Sequence, residues 1–553
     1  MKGKVYLAVR GAVERLIKEG RLKEGPIPEI MIQTPPDQRY GDFSTNIAML
    51  LASSQGISSR DIAIMLRDRI EDEAFERVEV AGPGFLNFFI RDSEWPKLLS
   101  HIHSRREDYG SSDLGKGKRV LVEFVSANPT GPLHLGHGRG AALGDSLCRI
   151  LSYCGFEVVR EFYINDAGRQ IELLGRSIYS IWKRKRDPNY PFPEDGYRGS
   201  YIEELSDVIE KEHSLESLNE EDALKLCAEV GSRKMLDEIR RDLELFRCPF
   251  DIWFSEKRLY SSGSLKRVLD RYSRYIYEKD GALWFKTSLF GDTKDRVLKK
   301  RDGVFTYFAS DISYHLDKWE RGFDRAINIW GADHHGYIDR IRAALKACSI
   351  DEGWLSVLLI QLVKLYREGK EVRMSKRAGD YVTLKELIDE VGVDAVRFVF
   401  LTKSHDSPLD FDVDLVKRKD SENPVYYVQY AHARACSIFR KAEAEGIRVE
   451  SSEYPLDLLT LSEETQIIKI LSEFPYLLKD ICRTFQVHRL TYYLQELASL
   501  FHRYFNMGNR DPKLRVLSSE REMSIARLVL TDMVRAVIAK GLSLLGVSAP
   551  ERM

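Results

Sequence analysis

Long apolar runs are missing from this chain. The longest, near Trp354–Val363, falls well short of the ~20 residues that cross a bilayer. The first twenty residues, MKGKVYLAVRGAVERLIKEG, read as an amphipathic helix without the apolar core of a secretory signal. Membrane-spanning and exported classes are therefore not expected. Cysteine is scarce and unpatterned. Seven are scattered with no CxxC pair, which argues against a disulfide framework and a structural zinc site and fits reduced thiols in the cytoplasm. Net charge is nearly absent: 84 basic and 85 acidic side chains leave −1. No bulk field thus selects for or against a polyanion, which would need basic groups gathered on one face. Neither an internal repeat nor a low-complexity tract is present.

What remains is a long globular chain. At 553 residues, 43% hydrophobic and 31% charged, it can bury the cores of three or four domains. Residues 1–110 alternate helical and strand-like stretches and predict a small α+β domain, with a linker at Gly110–Gly117. Residues 111–405 turn to α/β alternation, interrupted over about 170–290 by a charged, largely helical insertion. The alternation returns near Val304–Tyr307, Arg325–Trp330 and Trp354–Tyr366. Residues 406–553 read as an all-helical bundle, with Pro424 opening its first long helix. The expected class is multidomain α/β: a Rossmann-like doubly wound parallel sheet with a helical insertion, an N-terminal α+β domain and a C-terminal all-α bundle.

The most informative segment is Ala127–His137, ANPTGPLHLGH. It follows an apolar, β-branched run, RVLVEFV, that reads as a buried parallel strand, and precedes a small-residue helix beginning GRGAA at Gly138. Small residues let a ligand approach the first helical turn, where backbone N–H groups and the positive dipole end attract phosphate. His134 and His137 stand where an ATP phosphate chain would lie. The Gly136-x-Gly138-x-Gly140 spacing is not GxGxxG, and no GxxxxGK[ST] occurs at this turn. A bare HxGH is also compatible with a buried turn holding two satisfied histidines.

A second motif, Val372–Gly379 (VRMSKRAG), is a cation-crowded loop suited to closing over a polyphosphate, with Lys376 placed to neutralise departing pyrophosphate. Taken alone it is also a basic surface loop. With these motifs in order, the chain resembles class I aminoacyl-tRNA synthetases: HLGH is similar to their HIGH element and RMSKR to KMSKS. GDFSTNIAMLLA (Gly41–Ala52), AGPGFLNF (Ala81–Phe88), YINDAGRQI (Tyr163–Ile171), GADHHGY (Gly331–Tyr337), YYVQYAHAR (Tyr426–Arg434) and LLGVSAPERM (Leu544–Met553) narrow the resemblance to arginyl-tRNA synthetases, over essentially the whole chain. Arg373 and Arg377 depart from KMSKS, which implies altered loop energetics with Lys376 retained.

The resemblance implies an arginine–tRNA ligase. A guanidinium is planar, permanently charged and carries five donors, so its pocket needs carboxylates and a flat neighbour. Carried over residue by residue, Glu123 and Asp311 are the charge partners, Tyr307 packs beside the guanidinium, and Ser126 and Asn128 hold the α-amino and carboxylate groups. Gly136, Gly138, Gly331, His334, Met374 and Ser375 are the ATP contacts; His134, His137 and Lys376 serve the chemistry. Glu123 could otherwise be an edge-strand carboxylate, and Tyr307 and Asp311 a helix start. Asp333-His334-His335 also raises a metal reading, but adjacent histidines in a strand point to opposite faces, and no metal ligands from side chains are expected. Magnesium accompanies ATP.

Binding alone rejects lysine, so the insertion needs no editing role. For RNA, the resemblance favours Asn87, Tyr427, Arg434 and Met553, although aromatics at helical spacing are also ordinary core. It further implies a monomer and adenylate formation that requires tRNA. Two rivals stay open: a small-molecule nucleotidylyltransferase, which shares HxGH, and a catalytically silent synthetase-like RNA-binding protein.

Overall fold

The computed structural model describes residues 1–372, 381–449 and 454–553. The chain forms two compact units. One contains Met1–Tyr109 together with Ala435–Phe474 and Ser499–Ala536. Its first helix, Lys2–Lys18, buries Val5, Val9, Ala12, Val13 and Leu16, the one-face spacing of an amphipathic helix. Phe85–Ile90 is the middle strand of a small antiparallel sheet, between Phe43–Thr45 and Phe75–Ala81. Gly41, at φ +86°, passes so close to the carbonyl of Phe88 that a Cβ would lie 2.6 Å from its oxygen. Helices of the C-terminal region belong to this unit: the Tyr109 hydroxyl donates to Leu471 O at 2.8 Å, and Lys2 pairs with Glu473.

The other unit, Gly110–Arg434 with Pro475–Ala498 and Val537–Met553, is built on a five-stranded parallel sheet. Its order is Leu355–Ile360, Arg325–Gly331, Arg119–Glu123, Glu157–Ile164, Ile252–Ser255. The first strand in the chain, Arg119–Glu123, lies in the middle. The chain builds outward from it to one side and later to the other, leaving a switch point between Arg119–Glu123 and Arg325–Gly331, where ligands enter parallel sheets at the strands' carboxyl ends. Glu123 lies at that end, in register with Asn328 on one side and Glu161 on the other.

Three regions depart from the sequence expectation. Ile252–Ser255, inside the supposed helical insertion, is the edge strand of the main sheet, and Ile276–Lys279, Ala282–Phe285 and Arg296–Lys299 form an antiparallel sheet of their own. Val304–Tyr307 is no strand; Thr306 caps the helix Tyr307–Glu320 by accepting from Ala309 N–H. Leu409–Asp412 is a strand beside Val363–Arg367, within the region read as helical. Each is four residues long, too short for a period of two to stand out. The helical part of the insertion is real: Arg169–Arg184 packs on Glu220–Leu245, where a Cβ on Gly175 would meet Ala228 Cβ at 2.7 Å and one on Gly231 would meet Ile178 Cδ1 at 2.4 Å. No helix among the described residues is long and apolar enough to cross a membrane. All seven cysteines lie outside any disulfide.

Candidate active site

The turn leaving the central strand is strained. Val125 and Ser126 have φ of 68° and 41°, which L side chains rarely adopt, and such strain persists where surroundings over-determine it. Here the surroundings are polar. The Ser126 hydroxyl donates to Glu123 Oε1 at 2.9 Å and accepts the Tyr163 N–H at 3.2 Å, and Asn128 Nδ2 donates to Gln170 Oε1 at 2.5 Å. The chain then enters the helix Leu135–Tyr153 through His134 as N-cap. His134 Nδ1 accepts the N–H groups of Gly136 (3.1 Å) and His137 (3.4 Å), while His137 Nδ1 accepts the His134 N–H at 3.3 Å. The two rings stack at 3.7 Å with 16° between planes. A ring nitrogen that accepts carries no proton, so in each neutral imidazole the N–H sits on Nε2. The reciprocal cap thus fixes two side chains as N–H donors at a helix N-terminus, which suits them to phosphate oxygens and not to a metal.

Beside this turn lies a nest of carboxylates. Glu123 is 5% exposed and already paired: Lys318 Nζ, fully buried, donates to its Oε2 at 2.6 Å and to Asn328 Oδ1 at 2.9 Å. Asn328 Nδ2 meets His315 Nε2 at 2.8 Å, and His315 Nδ1 meets the Asp311 carbonyl at 2.7 Å. Burial and the Lys318 charge push His315 down to about 3, so the ring is neutral and relays between amide and carbonyl. Two other carboxyls have no ion-pair partner among the described residues. Glu256 is 2% exposed, with Oε2 lacking a hydrogen-bond partner. Burial and Asp166 raise it to about 7, against the opposing pull of the Tyr163 and Tyr260 hydroxyls. Asp311 is half-buried; burial and the charges of Glu256 and Glu123 push it up to about 7. Unpaired acids held this close want a cation with several donors.

Residues 99–407 match the family described as tRNA synthetases class I (R), catalytic domain, residues 7–90 the arginyl tRNA synthetase N terminal domain, and residues 428–553 the DALR anticodon binding domain. The arginine–tRNA ligase of Desulfosudis oleivorans is 48% identical over 562 residues, covering all of both chains. The chain belongs to the arginyl-tRNA synthetase family. The arginine–tRNA ligase of Bacillus subtilis is 43% identical over all of this chain and 99% of its own. In fold, the chain is similar to the Thermus thermophilus arginyl-tRNA synthetase, with a TM-score of 0.78, 23% identity and 99% of each chain covered.

Within this family member, the sequence-predicted residues fall into distinct places. Glu123, Ser126, Asn128, His134, Gly136 and His137 occupy one continuous segment at the switch point. Tyr307 is 57% exposed, and its hydroxyl lies over the turn at Gly168, 3.6 Å from where a Cβ there would stand. Gly331 and His334 are exposed. The two histidines after Asp333 lie in the 3-10 turn Ala332–Tyr337, not in a strand, so the opposite-faces argument does not apply to them. Gly138 is buried against core side chains: a Cβ would lie 2.7 Å from Leu384 Cδ1 and 2.8 Å from Phe400 Cε2, so its smallness serves packing and not a ligand's approach. Met374, Ser375 and Lys376, with Arg373 and Arg377, lie outside the described residues.

Of the RNA candidates, Asn87 is 4% exposed on the middle strand of its sheet, so its side chain has no surface to offer a base. Tyr427 and Arg434 are half-buried on the helix Pro424–Ala444, Arg434 lying 4.7 Å from the Tyr430 ring centroid, and Met553 is exposed. Sequence reasoning missed Glu256, His315, Lys318 and Asn328. A signal existed for two of them: His315 and Lys318 follow Asp311 by four and seven residues, on the same helical face.

The insertion also reaches the phosphate turn. Tyr201 Oη donates to Thr130 O at 3.1 Å, and a Cβ on Gly131 would lie 3.2 Å from that hydroxyl and 3.3 Å from the hydroxyl of Tyr381. Tyr201→Phe is therefore expected to raise KM for ATP several-fold and leave KM for arginine unchanged, as steady-state kinetics with each substrate varied in turn would read.

Proposed function

We propose that this chain joins L-arginine to its tRNA for protein synthesis in two steps. The arginine carboxylate oxygen attacks the α-phosphorus of ATP and pyrophosphate leaves. A terminal ribose 2′-hydroxyl of the tRNA then attacks the arginyl carbonyl, losing its proton as AMP departs. The observation that carries this reading is the pair of carboxyls without a cation partner among the described residues, half-buried Asp311 and buried Glu256, beside a helix N-terminus armed with two N–H donors. The guanidinium sits against Asp311 and Glu256, with Tyr307 at the mouth. Glu123, neutralised by Lys318, orients Ser126, and Ser126 and Asn128 receive the substrate's α-amino and carboxylate groups. His134 and His137 donate to the phosphate chain, and Lys376 supplies charge as pyrophosphate forms. No side-chain nucleophile is needed, since positioning and electrostatics supply the rate.

We expect no metal ligand from the turn's two histidines, whose Nδ1 atoms are engaged with backbone N–H groups. Magnesium would come bound to ATP's own oxygens, adding charge neutralisation there. Gly136, Gly331 and His334 line the nucleotide on this reading, and Met374 and Ser375 close over it. Residues 1–110 and 406–553 embrace the tRNA, 111–405 perform the chemistry, and the protein works in the cytoplasm as a monomer.

Charging of tRNA with labelled arginine but not labelled lysine tests the reading; lysine charged as well as arginine refutes it. A pH dependence accompanies it. Both carboxyls are raised to about 7, so in the substrate-free protein they hold protons below that pH. A guanidinium binds the ionised forms, and arginine affinity should therefore climb as pH rises through the region near 7 and level off above it. By the same sign, these groups favour the substrate-free fold at low pH and disfavour it as pH rises toward 7. Calorimetric titration from pH 6 to 8.5 reads the slope of log affinity against pH, and Glu256→Gln should reduce it by about one proton at low pH. A flat profile in the parent protein would remove both carboxyls from the pocket.

A further inference from the structure

Lys318 is fully buried in the Tyr307–Glu320 helix, and an ammonium has three donors and no acceptor. Its Nζ donates to Glu123 Oε2 at 2.6 Å and to Asn328 Oδ1 at 2.9 Å, and lies 4.2 Å from the Tyr314 ring centroid. A group that can only donate fixes the direction of the hydrogen bonds beyond it. On one side, Asn328 turns its oxygen to Lys318, so its amide N–H meets His315 Nε2 at 2.8 Å. His315 Nδ1 then carries the ring proton, which goes to the Asp311 carbonyl at 2.7 Å. On the other side, the Glu123 carboxylate accepts at both oxygens, from Lys318 and from the Ser126 hydroxyl at 2.9 Å. That hydroxyl also accepts the Tyr163 N–H at 3.2 Å, so its proton and one of its two lone pairs are taken. Ser126 has one lone pair left to offer. It can receive a donor and cannot hold a bare oxygen.

We propose that Lys318 is a positioning residue, acting through Glu123, that fixes Ser126 as an acceptor and makes the pocket select an α-ammonium group on its guanidino substrate. The donors then run one way, from substrate ammonium to Ser126 and from Ser126 to Glu123, with Lys318 closing the far end. A guanidino acid lacking the amino group leaves that lone pair without a donor, the loss by which polar sites reject analogues. The inference rests on the arginine reading above, and it departs from the expectation that Glu123 meets the guanidinium itself.

The test measures, by calorimetry on the full-length protein, binding of L-arginine and of δ-guanidinovaleric acid, which is arginine without its α-amino group. The parent should prefer L-arginine by about a hundredfold, the scale of a hydrogen bond to a charged group. Glu123→Gln keeps the shape but must turn its carbonyl oxygen to Lys318. Its amide then donates to Ser126 and swings the hydroxyl proton toward the substrate ammonium. The preference should fall by about tenfold, with affinity for δ-guanidinovaleric acid held within about threefold. In Glu123→Gln/Lys318→Met the amide is free to turn over, and most of the preference should return. A merely structural Lys318 would make the double variant worse than the single one. A parent without the preference, equal losses for both ligands in Glu123→Gln, or a double variant no better than the single one would each overturn the proposal. A parent that binds neither ligand refutes the arginine reading, and the inference falls with it. Should the variants misfold, imidazole nitrogen NMR shifts of His315 in the parent decide the direction of the chain. A proton on Nδ1 supports it, and a proton on Nε2 overturns it.

Discussion

Asp311→Asn should lower kcat/KM for arginine by ~10²–10⁴-fold and leave KM for ATP nearly unchanged. Removing one member of a desolvated charge pair typically costs about 3–5 kcal/mol, and about 1.4 kcal/mol corresponds to each tenfold change. Asp311 has no other substrate-free partner to satisfy: its carboxyl makes no hydrogen bond among the described residues, and it sits among Glu256 and Glu123 at a raised value of about 7. The fold should therefore tolerate the amide, and thermal stability should hold or rise slightly, because a destabilised acid has been removed. That split between activity and stability separates a substrate-binding carboxylate from a structural one. Activity within a few-fold of the parent would move the guanidinium elsewhere in the cluster. Glu256→Gln should cost less, since the Tyr163 and Tyr260 hydroxyls already engage that group.

The second large effect belongs to the stacked histidines. His137→Ala should slow adenylate formation by ~10²–10³-fold, the usual cost of one preorganised donor at developing charge. His134→Ala should cost at least as much, because the His134 ring also caps the helix and stacks against His137. Each ring orients the other, so the double variant should be scarcely slower than either single one. Single-turnover kinetics of the three proteins would measure this. Effects that multiply would mean that the two imidazoles act independently.

Legibility in the sequence followed the physics of each residue. Glu123 could be found because a charge inside VLVEFV is unfavourable unless paired; its partner could not, because Lys318 lies 195 residues away. The helix Leu135–Tyr153 announced itself, but Gly138 in sequence cannot tell whether a ligand or a leucine fills the space above it, and here Leu384 and Phe400 do. Glu256 was hidden by the four-residue strand before it, whose IWFS is too short to stand out from a charged helical region. Asn87 came from the family resemblance alone, which carries a residue over without saying which face of its strand other elements cover. His334 and His335 were misplaced for a related reason: a turn that continues a strand carries no break in composition. The motif around Lys376 is legible as chemistry, although its residues lie outside those described.

The most direct measurement is ATP–pyrophosphate exchange with each standard amino acid, in the presence and absence of tRNA. The account predicts exchange with arginine alone, dependent on tRNA, and lost in Asp311→Asn. Exchange driven by a different amino acid, or none with any amino acid and tRNA present, would contradict it.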